Sequence, residues 1–421
     1  MKYLLTLLLF VVIAGCSNHT SKNDLSSTKP TVKTVAILPE DAYPFQFDGR
    51  HIIIQAKMND SVEISLLLDT GAPEPIFDSS FIAENKDRLG LKTKPYRGTI
   101  ESPSGLFKIT QKIIGSINLN AFSENKEFHG ALMIADMIKS NLGADAIFPA
   151  YLFFENKIVL IDLKNQYFRI LSQDTLNDLK SHFVSFPLNG NQYTFFTVSS
   201  KIFMDKPAER PVNLDGELEI DIGAPGLLYL FKSHRSVASV FPSNIKTHKI
   251  KTLVFNMKDT VYSEAIVADQ LRLSDTWSFR NAKITLLNQF VNFDPTQIGL
   301  LGNDFLRKFI VIIDYRNKKL YLRPGLEYFS PCKNSNLGMK LRKEPGAKSY
   351  IVVSLYDQTP ISNAGIHLGD IILSVNGILT EHIPVREMDT IERSPIGTKL
   401  NFRVQRGQIV FDREITIRNI W

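Results

Sequence analysis

The stretch Leu66 to Phe77, LLLDTGAPEPIF, ends an apolar run on Asp69 and follows it at once with Thr70 and Gly71. An aspartate in that setting is a carboxylate held on a tight turn at the end of a buried strand. Alone it is a turn residue. Two of them face to face share a proton, because like charges a few ångströms apart cannot both ionise. The ionised member then takes a proton from a water, and the protonated member hydrogen-bonds the oxygen of a carbonyl under attack. Asp-Thr-Gly occurs once in the 421 residues, so a partner has to be found by other means.

An internal repeat supplies it. VLIDLKNQYFRI (159–170) aligns without gaps with VIIDYRNKKLYL (311–322), setting Asp162 against Asp314 at an offset of 152 residues. The same offset carries Asp69 to Asp221, inside EIDIGAPGLLYLF, and both aspartates are followed by Gly-Ala-Pro, at 71–73 and 223–225. Two distant landmarks agreeing on one offset mark a duplicated lobe. Leu142-Gly143-Ala144-Asp145 and Leu301-Gly302-Asn303-Asp304 are then expected to be matching segments beneath the two turns. That alignment requires about seven compensating residues near FPAYLFF and puts Asn141 in the first locking strand.

The elements that must position these carboxylates are short and β-rich. HIIIQAKM and SVEISLLLD flank Asn59-Asp60 as a hairpin, and Leu66-Leu67-Leu68 reads as a strand buried on both faces. SSFIAENKDRLG predicts one short helix with a serine cap and a glycine end. Further strands are expected over 105–117, 128–134, 157–162 and 167–171. Hairpins that could close over a cleft are ESPSGLF, tipped by Pro103 and Gly105, and VFNMKDTVY, turning at Lys258-Asp259. Many strands and few helices predict a mainly β protein, an all-β barrel or sandwich, which the duplication divides into two lobes.

Asp-Thr-Gly-Ala, followed by a hydrophobic-hydrophobic-Gly strand and then GNDFL (302–306), resembles the pepsin/retropepsin superfamily of aspartic proteases over roughly residues 42–325. The resemblance implies two β-barrel lobes with Asp69 and Asp221 as the catalytic dyad, and Thr70, Gly71 and Gly223 supporting the two catalytic turns. It also implies peptide or protein substrates and neither cofactor nor metal. Lobe 2 departs from the pattern at Ile222, where the family carries Thr or Ser whose hydroxyl bonds across to the other turn. The cross-link is then left to Thr70. Glu217 and Glu219 also replace the apolar run before the second aspartate with an alternating strand, and these changes are expected to loosen the site. Ala72 and Ala224 resemble retropepsins rather than acid-acting pepsins and imply a working pH nearer neutral.

After PGLEYFSPCKNSN comes a third module. Pro360, Ala364-Gly365, Leu368-Gly369-Asp370 and Val375-Asn376-Gly377 resemble the PDZ domains of bacterial envelope proteases, over roughly 337–421. The resemblance implies a small β-barrel with short helices that adds an extended chain end to a sheet edge. Gly338, Met339, Lys340 and Leu341, following Leu337, are the expected peptide-binding loop. Ser362 to Ile366 is the expected short helix, and Asn376-Gly377 a positive-φ turn.

The chain opens MKYLLTLLLFVVIAGCSN, a positive start and an apolar run too short to span a bilayer. Ile13 to Cys16 resembles a bacterial lipobox, which implies cleavage before Cys16, a lipid on its sulfur, and an outer-membrane location in the cell envelope. The polar, Ser/Thr/Lys-rich segment that follows reads as a tether. The expected layout is a signal peptide (1–15), tether (16–41), lobe 1 (42–175), lobe 2 (176–325), linker (326–336) and PDZ module (337–421). Cys332 is then left as a lone thiol, and no histidine pair has ligand spacing. The net charge of +6 is spread along the chain, without the basic runs of a nucleic-acid binder. With both aspartates in one chain, a monomer suffices. The expected activity is a lipid-anchored aspartic endopeptidase; the alternative is a degenerate protease fold that binds envelope peptides without cutting them.

Overall fold

The computed structural model describes residues 38–421 apart from 103–104, 137–141, 192–194, 206–210, 243–246, 254–259, 275, 289–294, 333 and 344–346. The signal peptide, Cys16, most of the tether, Asn141, Pro103 and the Lys258-Asp259 turn lie outside the described residues.

The protein is mainly β, and strand order repeats between its two halves. In the first, Val62–Asp69 pairs with Ile52–Met58 on one side and, in parallel, with Ala146–Pro149 on the other. Ala146–Pro149 is next bounded by Ile76–Asp78, which pairs in parallel with Met133–Ala135. In the second half, Val212–Ile220 lies between Phe195–Asp205 and the parallel Gln297–Leu301. Leu228–Phe231 follows, paired in parallel with Trp277–Leu287. Each half thus threads a late strand between the two arms of its aspartate turn.

The repeated landmarks at Asp162 and Asp314 meet in space. Ile158–Asp162 and Phe309–Asp314 pair antiparallel, Val159 opposite Ile313 and Ile161 opposite Val311, at the centre of a six-stranded sheet. Asp162 and Asp314 close equivalent hairpins, each accepting from the backbone and side-chain amides of an asparagine three residues on. One hydrophobic core runs through both halves, from Phe45 to Leu322.

Local expectations meet two adjustments. Asn59 and Asp60 do form a positive-φ turn between strands. The helix Ser79–Asn85 is capped by Asp78 rather than serine, because the Asp78 carboxylate reaches the amides of Ser80 (2.9 Å) and Phe81. The short helix of the C-terminal module covers Pro360–Asn363, two residues earlier than expected, since Thr359 and Ser362 form a capping box around it. Asn376 and Gly377 have the positive φ of their turn.

Residues 337–417 build a separate core around Tyr350, Phe402 and Met388. The module is nonetheless joined to the second half by main chain, because Tyr350–Tyr356 pairs with His248–Leu253, Thr252 opposite Ser354. The segment between them is packed down: Tyr328 sits against Trp277, Phe279 and Phe309, and Lys308 donates to the carbonyls of Glu327 and Ser330. Trp421 closes the seam against His248 and Tyr356. Removing residues 337–421 exposes the His248–Leu253 edge. A chain ending at 336 is expected to melt several degrees lower than one ending at 421, read by thermal unfolding, and equal midpoints would contradict this coupling.

Candidate active site

Asp69 ends a strand whose Leu66, Leu67 and Leu68 are all buried. Their packing and the parallel partner Ala146–Pro149 fix the turn. In the second half, the amide of Asp221 donates to the Leu301 carbonyl at 2.9 Å, so the late strand clamps that turn too. The register corrects the expected match between Leu142–Asp145 and Leu301–Asp304. Phe148 stands opposite Leu68 as Leu301 stands opposite Ile220, so the true counterparts are Ala146–Pro149 and Gln297–Leu301, and one compensating residue replaces the expected seven. Asp145 instead braces the start of the strand, accepting from the Ser65 amide (2.9 Å) and hydroxyl (2.7 Å). All four residues of the first locking strand are buried.

The two turns interlock. Thr70 Oγ1 donates to the Ile220 carbonyl at 2.6 Å and accepts from the Ile222 amide at 3.0 Å. Ile222 offers no hydroxyl in return; its side chain is 1% exposed in the main core, and its carbonyl accepts from Asn303 Nδ2 at 2.7 Å. The cross-link is therefore one-sided, as the sequence implies, while apolar packing and Asn303 hold the second turn. Glycine at 71 and 223 is a matter of space. A Cβ on Gly223 would stand 2.5 and 2.6 Å from the Asp69 carboxyl oxygens, and one on Gly71 would stand 3.2 Å from the Asp221 carboxyl carbon. Each aspartate lies over the backbone of the opposite turn.

The Asp69 and Asp221 carboxyls line one cleft, each set against the backbone of the opposite turn. Asp69 Oδ1 accepts from the Gly71 amide (2.6 Å), and Asp221 Oδ1 from the amides of Gly223 (2.7 Å) and Ala224 (3.1 Å). Burial raises both acids above the ordinary carboxylate range. Asp69 is drawn back by its amide bonds and His51, whereas Asp221 is raised further by the charges of Asp69 and Glu219. Of the two, Asp221 is therefore the more strongly raised acid.

A third carboxyl was not expected here. Glu219 is buried (5% exposed), accepts from Gln297 Nε2 at 2.7 Å, and lines the same cleft as the aspartates. Its spacing of two residues before Asp221 was the available signal, because a strand puts i and i+2 on one face. The cleft encloses about 1290 Å³ and is bounded by both halves and by Met339, Lys340 and Tyr356 of the C-terminal module.

Of the expected peptide-binding loop, Met339 and Lys340 border this cleft. Leu337, Met339 and Leu341 are core residues, and Gly338 has positive φ against Thr359. The Leu341 amide already bonds a carboxylate, Glu392 Oε1, at 2.8 Å. Burial first, then Lys283 and Arg50, lowers the Lys340 ammonium to about 7. Among the described residues no cluster of three or more His, Cys, Asp or Glu could hold a metal, and no helix is long and apolar enough to cross a membrane.

No family model and no curated protein sequence matches the chain. Among solved structures it is similar to an aspartic proteinase from Irpex lacteus, at 10% identity and a TM-score of 0.39, over 69% of this chain and 98% of that one.

The geometry orders two substitutions. Thr70→Val removes both cross-turn hydrogen bonds and leaves a buried amide and carbonyl unpaired, which costs roughly 2–4 kcal/mol in urea unfolding. Gly223→Ala forces Asp69 off its position, and its effect is expected on the shared proton more than on stability. A Gly223→Ala protein in which the two aspartates still titrate as in wild type would contradict the close approach.

Proposed function

We propose that the chain is an aspartic endopeptidase, hydrolysing peptide bonds with Asp69 as base and Asp221 as acid. The observation that carries the reading is the placement of two matching turns face to face, each carboxyl against the other turn's glycine in a cleft of about 1290 Å³. Asp69 takes a proton from a water between the pair, the water oxygen attacks the peptide carbonyl, and Asp221 gives its hydrogen bond to the forming oxyanion. Proton transfer to the leaving amine then breaks the C–N bond. Thr70, Gly71 and Gly223 keep the carboxyls in line. The chain's own residues suffice for each step.

The C-terminal module is read as a PDZ-like unit that receives substrate or partner peptides beside the cleft, since Lys340 faces that space. Lipidation of Cys16 would tether the enzyme to the outer membrane of the cell envelope, on the strength of the Ile13–Cys16 motif. A second reading, a peptide-binding protein that does not cut, draws on the missing hydroxyl at Ile222.

Incubation of residues 17–421 with a peptide library separates the two. Asp69→Asn and Asp221→Asn are each expected to lower kcat/KM by about a thousandfold or more. Cleavage that survives Asp221→Asn would overturn the dyad. Because burial raises both acids, the pair keeps its single proton to higher pH than free carboxyls do. The pH–rate optimum is therefore expected between about 5 and 7, and an optimum below about 4 would contradict that assignment.

A further inference from the structure

Glu219 is a buried carboxylic acid for which the hydrolytic steps above have no use, and its two oxygens face different ways. Oε2 accepts from Gln297 Nε2 at 2.7 Å. Oε1 faces Gly71: a Cβ built there would stand 2.8 Å from it and 3.2 Å from the Asp221 carboxyl. The backbone of Gly71 is thus flanked by Glu219 and Asp221 together, with Asp69 two residues away on the same turn. An amide N–H goes to the carbonyl oxygen of a neutral acid, so the Gln297 bond leaves the hydroxyl on Oε1, the oxygen that faces Gly71.

The groups around Glu219 favour that neutral form. Asp221 follows on its own strand, Asp69 faces it from the other turn, uncharged Gln297 comes from the parallel strand, and Thr197 lies opposite on the antiparallel one. His51, the nearby histidine, acts on Asp69. Among the described residues no cation is found to act on Glu219. Burial first, and the Asp69 charge with it, raises Glu219 to about 8 from an ordinary 4.5, against the pull of Gln297.

We propose that Glu219 is a positioning residue of the dyad, a third carboxyl that stays neutral while the enzyme works and presents its Oε1 hydroxyl to the Asp69–Asp221 pair. The inference rests on the aspartic-peptidase reading. The cluster then holds two protons among three acids. Loss of the second, from Glu219, places another negative charge beside the developing oxyanion and slows attack. The alkaline fall of the pH–rate profile is therefore set by Glu219 rather than by the dyad itself.

Glutamine is a permanent copy of neutral Glu219: its carbonyl can accept from Gln297 and its NH₂ can point at the pair. Glu219→Gln is expected to keep kcat/KM within about threefold at the optimum and to move the alkaline limb upward by about one pH unit. Glu219→Leu, which offers no donor, is expected to lose about tenfold or more in kcat with a smaller change in KM, so that glutamine rescues what leucine removes. A limb of Glu219→Gln that overlays wild type would overturn the proposal.

Carbon-13 NMR of glutamate side chains gives a readout independent of turnover. The Cδ resonance lost in Glu219→Gln should titrate above about pH 6, and titration near the ordinary glutamate value would overturn the proposal whatever the activity. If that resonance titrates high and the chain cleaves nothing, the peptidase reading fails and with it the role in the rate, while the three-acid cluster stands.

Discussion

The rest of the structure depends on a close approach between two turns that belong to different halves of the chain. Asp69 fills the space where Gly223 would carry a side chain, and Asp221 lies against Gly71 in the same way. Two ionised carboxylates so near would repel strongly, and the proposed function answers that conflict with a shared proton. Everything around the pair serves that arrangement. Amides of Gly71, Gly223 and Ala224 orient the carboxyls, and Thr70 ties its own turn to the backbone on both sides of Asp221.

Rigid turns need rigid support. Each is clamped by a late parallel strand, and the halves are joined by antiparallel pairing of Ile158–Asp162 with Phe309–Asp314. Buried carboxyls are costly, so their neighbours must be fully packed. The apolar run at Leu66–Leu68 provides this in the first half, and Ile222 extends it in the second. Ile222 holds the second turn by core packing, with Asn303 donating to its carbonyl. The C-terminal module adds a further wall by extending the second half's sheet through His248–Leu253.

Much of this was legible in the residues. Gly-Ala-Pro after each aspartate and the paired VLID/VIID segments carried the duplication, because a turn packed against its twin and a strand paired with its twin constrain their residues alike. The locking strand of the first half was misread, since Leu-Gly-x-Asp recurs by local coincidence while Ala146–Pro149 shares only burial and register with its partner. Glu219 was read as a flaw in an apolar strand. Its proximity to Gly71 depends on how two halves dock, which no local pattern encodes. The seam between the module and His248–Leu253 was invisible for the same reason: pairing at a sheet edge is made by backbone, and backbone leaves little trace in side-chain type.

The most direct test of a shared proton is carbon-13 NMR of the aspartate side chains across the pH range. The account predicts that the Asp69 and Asp221 carboxyl carbons titrate as one coupled system, with Asp221 far above the ordinary aspartate value, and that Asp221→Asn brings Asp69 back toward that value. Two independent titrations near the ordinary aspartate value of 3.8 would contradict it.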